Sequence, residues 1–438
     1  MLRFAELALA TFAIVILTGS NVYYFMLGVP AGITAEELLA YEGKIRNIFL
    51  IAYVIVALLA VLNWQKMILG IAAVWPIALL VIFAWLSNLW TVAPEITSRR
   101  CVALTVTTLM GIYLFVRFDL ETLLRFLTFI AAILVVGCLT WVALVPGYGL
   151  HGEGEHAGVW RGIFFHKNTT GRVMVYCLAI IIAAWAGGVT NRAVLFGIGL
   201  LTLLMIAGTT SQTTLLGLLA LLGGLVAVRM VRGHAIKSAL VTLVVLAIAW
   251  HGALIAASSY DLILEALGRD PSLTGRTDIW LYTLQYALKQ PFTGYGYDAF
   301  WNGEVSPGAQ YAAYWKTPHS HNGWLEVFIA FGLPGVLLML GIMLMTVTRA
   351  IILARYHPTT TPAILIVLVC FAMLTIGMSE PVFLEKHSFD WMLLVAIVGA
   401  ARALTSSLGS KSEQTEEAAD SGLPQRRLPA GALRSYPT

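Results

Sequence analysis

The amino-acid sequence predicts an all-α membrane protein with many spanning helices, and two observations carry that prediction. Of the 438 residues, 59% are hydrophobic and 11% are charged, whereas soluble domains contain about 25% charged residues. Long uncharged runs such as Asn47–Leu62 and Ala239–Ala257 suit a hydrocarbon core about 30 Å thick. The net charge of +4 is explained by membrane topology, and we expect no nucleic-acid partner.

Taken in order, the apolar runs predict about twelve spans. The first, roughly Leu7–Leu27, is long enough to cross a bilayer and lacks a signal-peptide cleavage site, so we expect it to be retained. The predicted centres are Ile16, Ile55, Leu79, Gly111, Leu134, Ile180, Leu200, Leu221, Leu246, Leu338, Val367 and Val395. The cysteines lack metal-ligand spacing, and we expect small membrane-buried side chains at Cys101, Cys138, Cys177 and Cys370.

Lysine and arginine predict that both termini lie in the cytoplasm. Arg229, Arg232 and Lys237 flank one turn on that side, and Arg349 and Arg355 flank another. The two longest connections then lie on the opposite, outer side of the membrane.

The chain divides into a transmembrane domain, residues 1–405, and a tail, residues 406–438, whose polar composition is typical of disordered cytoplasmic segments. Within the domain, residues 258–322 form a long outer loop. Its segment Thr277–Pro291 has the pattern of an amphipathic helix that Thr274 or Thr277 could cap. We expect a small helical subdomain that rests on the outer membrane face.

Cations gather on the outer side, against the usual topological bias. Arg161, Lys167 and Arg172 surround the entry to the sixth span, where Asn168 or Thr169 could cap the helix, and Arg276 begins the loop helix. Guanidinium groups and helix N-termini bind anions, so we expect a phosphate or diphosphate ligand at this surface. The alternative is that these cations pair with outer carboxylates or lipid headgroups.

The segment that enters the tenth span carries polar side chains suited to catalysis. His319, His321 and Asn322 precede the span, and an imidazole can take a proton from a sugar hydroxyl. Asn322 could instead cap the helix. Glu326 and Glu380 are acids that could orient the histidine or neutralise an arginine. We also expect His319, Asn322, Glu326 and Glu380 to contact the substrate. Metal binding is the weaker interpretation, because no convincing third ligand accompanies the two histidines.

Three ordered motifs resemble the bacterial O-antigen ligase and polymerase superfamily. They are RGIFFHKNTTG from Arg161, TGRTDIWLYTLQYALKQPFTGYGYDAFW from Thr274 and HSHNGWLEVFIAFGLPG from His319. The second and third motifs most resemble exopolysaccharide polymerases of that group. The resemblance spans roughly Pro94–Gly399.

The resemblance implies a metal-independent, class C membrane glycosyltransferase in the bacterial inner membrane, with its active site facing the periplasm. Its donor would be a glycan on undecaprenyl diphosphate, and no cofactor is expected. Carried onto this chain, His321 becomes the general base beside Asn322. Arg161 and Arg276 become the arginines that hold the diphosphate, and Lys167 belongs to a variant of the first motif.

Two other functions compete with a polymerase that joins lipid-linked repeats. A ligase that transfers the glycan to lipid A-core would share every motif, because the acceptor is not visible in the sequence. A transporter of lipid-linked sugars would place ionisable residues near the bilayer midplane, whereas the middles of these spans carry almost no charge.

Overall fold

The computed structural model describes residues 2–31, 35–152, 156–231, 275–302, 306–315 and 319–420. Its labelled helices are α1 (Leu2–Ile16), α2 (Glu42–Leu62), α3 (Trp64–Ala73), α4 (Trp75–Leu86), α5 (Pro94–Arg117), α6 (Leu120–Leu144), α7 (Lys167–Gly187), α8 (Arg192–Thr209), α9 (Gln212–Val231), α10 (Gly275–Ala287), α11 (Pro307–Trp315), α12 (Gly323–Tyr356), α13 (Thr361–Ile376) and α14 (Phe389–Asp420). Shorter helical turns are Val22–Met26, Ala35–Leu38, Leu39–Tyr41, Ser87–Leu89 and Pro146–Gly149. Within these ranges the chain forms no strand beyond two isolated bridges.

The all-α polytopic prediction is confirmed. Eight helices in the described part of the chain are long and apolar enough to cross a membrane, and the bent pair Trp64–Ala73 and Trp75–Leu89, with 91° between its halves, adds a ninth if it is one span. Eleven of the predicted centres fall within described helices. The other, Leu246, lies outside the described residues, so the number twelve stays a prediction.

Helix α7 lies at the centre of the bundle and is the most buried of the candidate spans. It packs against α6, α8, α9 and α13, while α14 packs along α5. Local sequence sets several helix ends: Asp119, Asn191 and Asn322 accept hydrogen bonds from the first backbone N–H groups of α6, α8 and α12. All four cysteines are buried and free, as predicted.

Helix α12 bends where the outer loop contacts it. Gly332 has φ +65° and ψ −165°, and Pro334 follows two residues later. A Cβ at Gly332 would lie 2.5 Å from the carbonyl oxygen of Pro291, so only glycine fits this approach. The residues before the bend therefore form a separate segment that carries part of the site described below.

Two sequence-based boundaries need correction. Helix α14 continues to Asp420, beyond the predicted start of the tail at residue 406, because residues that favour helix, such as Ala, Glu and Lys, extend the span past its apolar part. The loop helix begins at Gly275, so Thr277 lies inside it and does not cap it, while Thr274 lies outside the described residues.

Candidate active site

The predicted site residues collect at one end of the helix bundle. That end holds the start of α7, the start of α10, the turn at 319–322 before α12, and the segment 377–388 between α13 and α14. We call this last stretch the α13–α14 segment. Its residues bond to α7, to the start of α12 and to the outer loop.

Glu380, in the α13–α14 segment, is the centre of the arrangement. Its Oε1 accepts a hydrogen bond of 2.7 Å from Asn168 Nδ2 and lies 3.5 Å from an Nη of Arg276 and 3.6 Å from Nδ1 of His321. Burial opposes the charge of this carboxylate, but the interactions with His321, Arg276 and Arg172 outweigh burial and lower its pKa to about 2. Glu380 is therefore a buried anion whose counter-charges come from α7 and α10 and whose polar neighbours come from α7 and the turn before α12.

His321 has an unusual backbone conformation. Its φ is +53°, in the left-handed region that residues other than glycine seldom adopt. Its Nδ1 makes no hydrogen bond among the described residues, although Glu380 lies just beyond hydrogen-bonding distance. A shift of a few tenths of an ångström would let Nδ1–H donate to Glu380 and leave Nε2 unprotonated as the basic nitrogen.

Ser320 is fixed on both sides of its backbone. Its N–H donates to Glu326 Oε1 at 2.6 Å, and its carbonyl oxygen accepts from Trp280 Nε1 of α10 at 2.9 Å. These bonds hold the residue immediately before His321, so they oppose relaxation of the left-handed backbone.

Glu326 and Asn322 face this turn. The Glu326 carboxylate also accepts from Trp301 Nε1 at 3.0 and 3.1 Å, and Asn322 Oδ1 accepts from the N–H groups of Trp324 and Leu325. The contacts of Glu326 are thus with the loop and the turn, and Asn322 caps α12. Both were predicted to contact substrate, and that role stays a prediction beside the structural one.

His319, His321 and Glu380 form a cluster that could hold a metal ion. One ligand atom from each lies within 4.8 Å of the other two. The sequence-based argument that the two histidines lack a third ligand was therefore wrong, because Glu380 comes from a distant segment. Burial, followed by the nearby His321, lowers the pKa of His319 to about 3, so its imidazole is neutral. Its Nδ1 accepts the N–H of His321 at 3.2 Å.

Arg172, one turn into α7, contacts a different set of acids. Its guanidinium donates to the carbonyl oxygen of Pro381 at 2.7 Å and to Glu385 at 2.5 Å, and its Nε lies 2.9 Å from Asp390. The side chain is only 5% exposed. Arg172 therefore attaches the α13–α14 segment to α7, immediately after Glu380.

Arg161 and Lys167 lie at the loop that enters α7. The Arg161 guanidinium donates to the carbonyl oxygens of Tyr148 and Gly147, and Lys167 is the first residue of α7. Between them His166 caps the helix, where Asn168 or Thr169 had been predicted to do so, and its Nδ1 accepts the Asn168 N–H. The Asn168 side chain is thereby directed to Glu380 and to Ser211, which donates to it.

Three histidines meet beside this loop, a cluster that the sequence analysis did not predict. The rings of His151, His156 and His166 have centroids 5.3–5.9 Å apart. Burial is the main cause that lowers the pKa of His151 and of His166 to about 4, so both are neutral at physiological pH.

Sequence reasoning also missed an ion cluster that holds the other end of the α13–α14 segment. Asp298 of the outer loop pairs with Lys386 and, at 2.8 Å, with Arg100 of α5. These counter-charges outweigh burial and keep the pKa of Asp298 below its ordinary value. The signal in the sequence was the pair of basic residues at the start of the fourth predicted span, but their partner was not identifiable.

Comparisons with known proteins agree with this picture. Residues 197–340 match the family model described as O-Antigen ligase. The chain is 26% identical over 339 residues to the exopolysaccharide production protein ExoQ of Rhizobium meliloti (strain 1021), an alignment that covers 73% of this chain and 75% of the relative.

The matched region contains α8, α9 and α10, the turn with both histidines and the first half of α12. It thus includes Arg276, His319, His321 and Glu326, whereas Glu380 and Arg172 lie outside it. Both similarities support the predicted resemblance to the bacterial O-antigen ligase and polymerase superfamily, and the apolar helices make the chain a multi-pass membrane protein.

Proposed function

We propose that this protein is a polymerase that joins oligosaccharide repeats carried on undecaprenyl diphosphate, at the periplasmic face of the bacterial inner membrane. The observation that carries the proposal is the contact of His321, Glu380 and Arg276 at one end of the bundle. A base, its orienting carboxylate and a partly exposed guanidinium are the groups that a glycosyl transfer from a lipid diphosphate needs.

The reaction follows from these roles. Glu380 accepts Nδ1–H of His321, so Nε2 removes the proton of an acceptor sugar hydroxyl. The hydroxyl oxygen bonds to the anomeric carbon of the donor sugar, and the bond from that carbon to the diphosphate oxygen breaks. The electron pair leaves with the diphosphate, which Arg276, Arg161 and Lys167 stabilise.

Arg276 has the freedom to serve in this way. Its side chain is 40% exposed and lies at 3.5 Å from Glu380, a longer contact than a good charge-assisted hydrogen bond of about 2.8 Å. A diphosphate can therefore recruit the guanidinium without breaking a tight ion pair. Arg172 lacks that freedom because three protein oxygens surround it. We therefore assign Arg172 to holding the α13–α14 segment and not to contacting the substrate, as had been predicted.

Reconstitution tests the proposal. We expect purified protein in liposomes to convert an undecaprenyl-diphosphate oligosaccharide into longer chains and to release the carrier diphosphate. His321→Ala should abolish both products at unchanged protein abundance. The matched control is His357→Ala, since His357 lies at the opposite end of α12, where its imidazole contacts Thr359. Full activity of His321→Ala would refute the assignment of the base.

A ligase is the second candidate, because the matched family is that of O-antigen ligases, whereas the relative is named for exopolysaccharide production. The glycans of a deletion strain separate the two. Short, single-repeat material indicates a lost polymerase. Full-length chains that remain on the lipid carrier indicate a lost ligase.

A further inference from the structure

The loop helix α10 exposes a stripe of leucines. Leu281 and Leu284 share one face of the helix, and Leu288, whose N–H donates to the carbonyl oxygen of Leu284, continues that face one residue past the helix end. The three side chains are 54%, 38% and 61% exposed. Phe292, just past the helix, is 68% exposed. We call these four side chains the leucine stripe.

The rest of α10 has other neighbours. Ile279 and Ala287 are buried in a small core together with Ile329 of α12, which fixes the helix against the bundle. Gln285 and Lys289 are exposed beside the stripe. The free arc of the helix is therefore half apolar and half polar, as in helices that lie in a membrane interface.

The leucine stripe continues into a surface that already faces lipid. The N–H of Leu333 donates to the carbonyl oxygen of Pro291 at 2.7 Å, so Phe292 lies beside the bend in α12. From that bend, four exposed leucines follow one face of a candidate membrane span: Leu333, Leu337, Leu340 and Leu344. Exposed leucines on a membrane span face acyl chains. The leucine stripe of α10 continues that apolar surface from the bend of α12.

A tryptophan lies beside the end of the leucine stripe. Trp90, at the end of the bent helix pair, donates its Nε1–H to the carbonyl oxygen of Thr293, the residue after Phe292. Its neighbour Leu89 is 82% exposed. Tryptophan is enriched where the hydrocarbon region meets the headgroups, because its ring is apolar and its N–H needs a partner.

We infer that α10 is an interfacial helix whose leucine stripe is inserted in the lipid leaflet on the side of the active site. The occupant of this surface is the leaflet, since the stripe meets the lipid-facing side of α12 at its bend. Helices of this type bury their apolar face about 5–10 Å into the boundary of headgroups and acyl chains. Arg276, at the start of the same helix, is thereby held at headgroup height.

Fluorescence quenching in proteoliposomes tests the inference without any assay of activity. Leu288→Cys and the matched control Gln285→Cys, three residues apart in the chain, each receive an environment-sensitive fluorophore. The unaltered protein, whose cysteines are all buried, gives the background of labelling. The quenchers are phospholipids with a nitroxide high on the acyl chain and, separately, iodide in the aqueous phase.

We expect the fluorophore at position 288 to emit at shorter wavelength, to be quenched severalfold more by the nitroxide lipid and to be shielded from iodide, compared with the fluorophore at position 285. Equal access of iodide to both positions would overturn the inference. Shielding of position 288 from both quenchers would overturn it as well, because a protein surface and not lipid would then cover the stripe.

Discussion

Two arginines of this site, Arg276 and Arg172, have nearly the same sequence signature and opposite surroundings. Each stands near the start of an outer helix. Arg276 is 40% exposed and touches one carboxylate at 3.5 Å, whereas Arg172 is 5% exposed and is bonded to Glu385, Asp390 and a backbone carbonyl. The first cluster is open toward a ligand, and the second is closed by the protein itself.

The comparison shows that a charged residue at the end of a span is important, but its position does not tell whether it serves catalysis or stability. An open pair keeps donors available for a substrate, while a closed pair stabilises the fold because each buried charge needs its partner. Variants of the open cluster should therefore change catalysis, and variants of the closed cluster should change stability. The predictions below test that distinction, beginning with the largest expected effect.

Glu380→Gln should reduce transfer activity by about 10²–10⁴-fold, the range that a correctly placed acid or base contributes. The amide keeps the size of the side chain but not its charge, so it neither selects the tautomer of His321 nor stabilises the imidazolium. The measurement is the initial rate of carrier release in proteoliposomes, at equal protein abundance. Glu121→Gln at the far end of the bundle, where Glu121 pairs with Arg125 at the surface, is the control and should keep full activity. A Glu380→Gln protein with a normal rate would remove Glu380 from the mechanism.

Arg172→Met should destabilise the protein by about 3–5 kcal/mol, because Asp390 and Glu385 are left without their counter-charge. Arg276→Met should destabilise the protein less than Arg172→Met, since the Arg276 guanidinium is 40% exposed and lies 3.5 Å from Glu380, yet it should lose activity. The melting temperatures of both variants in the same detergent, measured beside their rates, make the comparison. If Arg172→Met melts normally while Arg276→Met unfolds, the assignment of open and closed clusters is reversed.

The sequence predicted which residues form the site, but it did not distinguish the open cluster from the closed one. Apolar runs located the spans because burial in lipid requires uncharged helices, and the three motifs located Arg276 and His321. The choice between Glu326 and Glu380 as the partner of His321 could not be made, because both stand at an end of an apolar helix. The fold decides it: Glu326 is bonded to the Ser320 backbone, whereas Glu380 reaches His321 from a segment far away in the chain.

The loop aromatics illustrate the same limit. Aromatic rings can stack on sugars, but Tyr295, Tyr297, Phe300 and Trp301 of the loop are buried in the structure. The density of Tyr, Phe and Trp in the loop predicts a packed surface. Which rings remain accessible depends on contacts with α12 that have no local pattern.

Glu380 should also give the protein a characteristic response to acid. Its pKa of about 2 lies below the ordinary value of 4.5, so the unfolded chain binds this proton more readily than the folded one. The ionised form then stabilises the fold by roughly 3 kcal/mol, a contribution fully present above about pH 4.5 and lost as pH falls toward 2. The difference in melting temperature between the unaltered protein and Glu380→Gln should therefore shrink as pH falls from about 4.5 toward 2. Both proteins contain the neutral His319, so its own response to acid cancels in the comparison. A difference in melting temperature that stays constant down to about pH 3 would contradict the role of the counter-charges.

The smallest expected effect concerns metal, and it decides what the open cluster holds. His319, His321 and Glu380 could bind a divalent ion, yet Arg276 already provides a positive charge beside Glu380, and Nδ1 of His319 is occupied by the His321 N–H. We therefore expect incubation with EDTA, followed by chelator-free buffer, to leave the rate of carrier release unchanged. Added Zn²⁺ should inhibit by binding the imidazoles of His319 and His321. His319→Ala should weaken that inhibition, since it removes one ligand of this site. A rate that falls on chelation and returns with one divalent ion would instead assign the cluster to a resident metal, and His321 would then act as a ligand and not as the base.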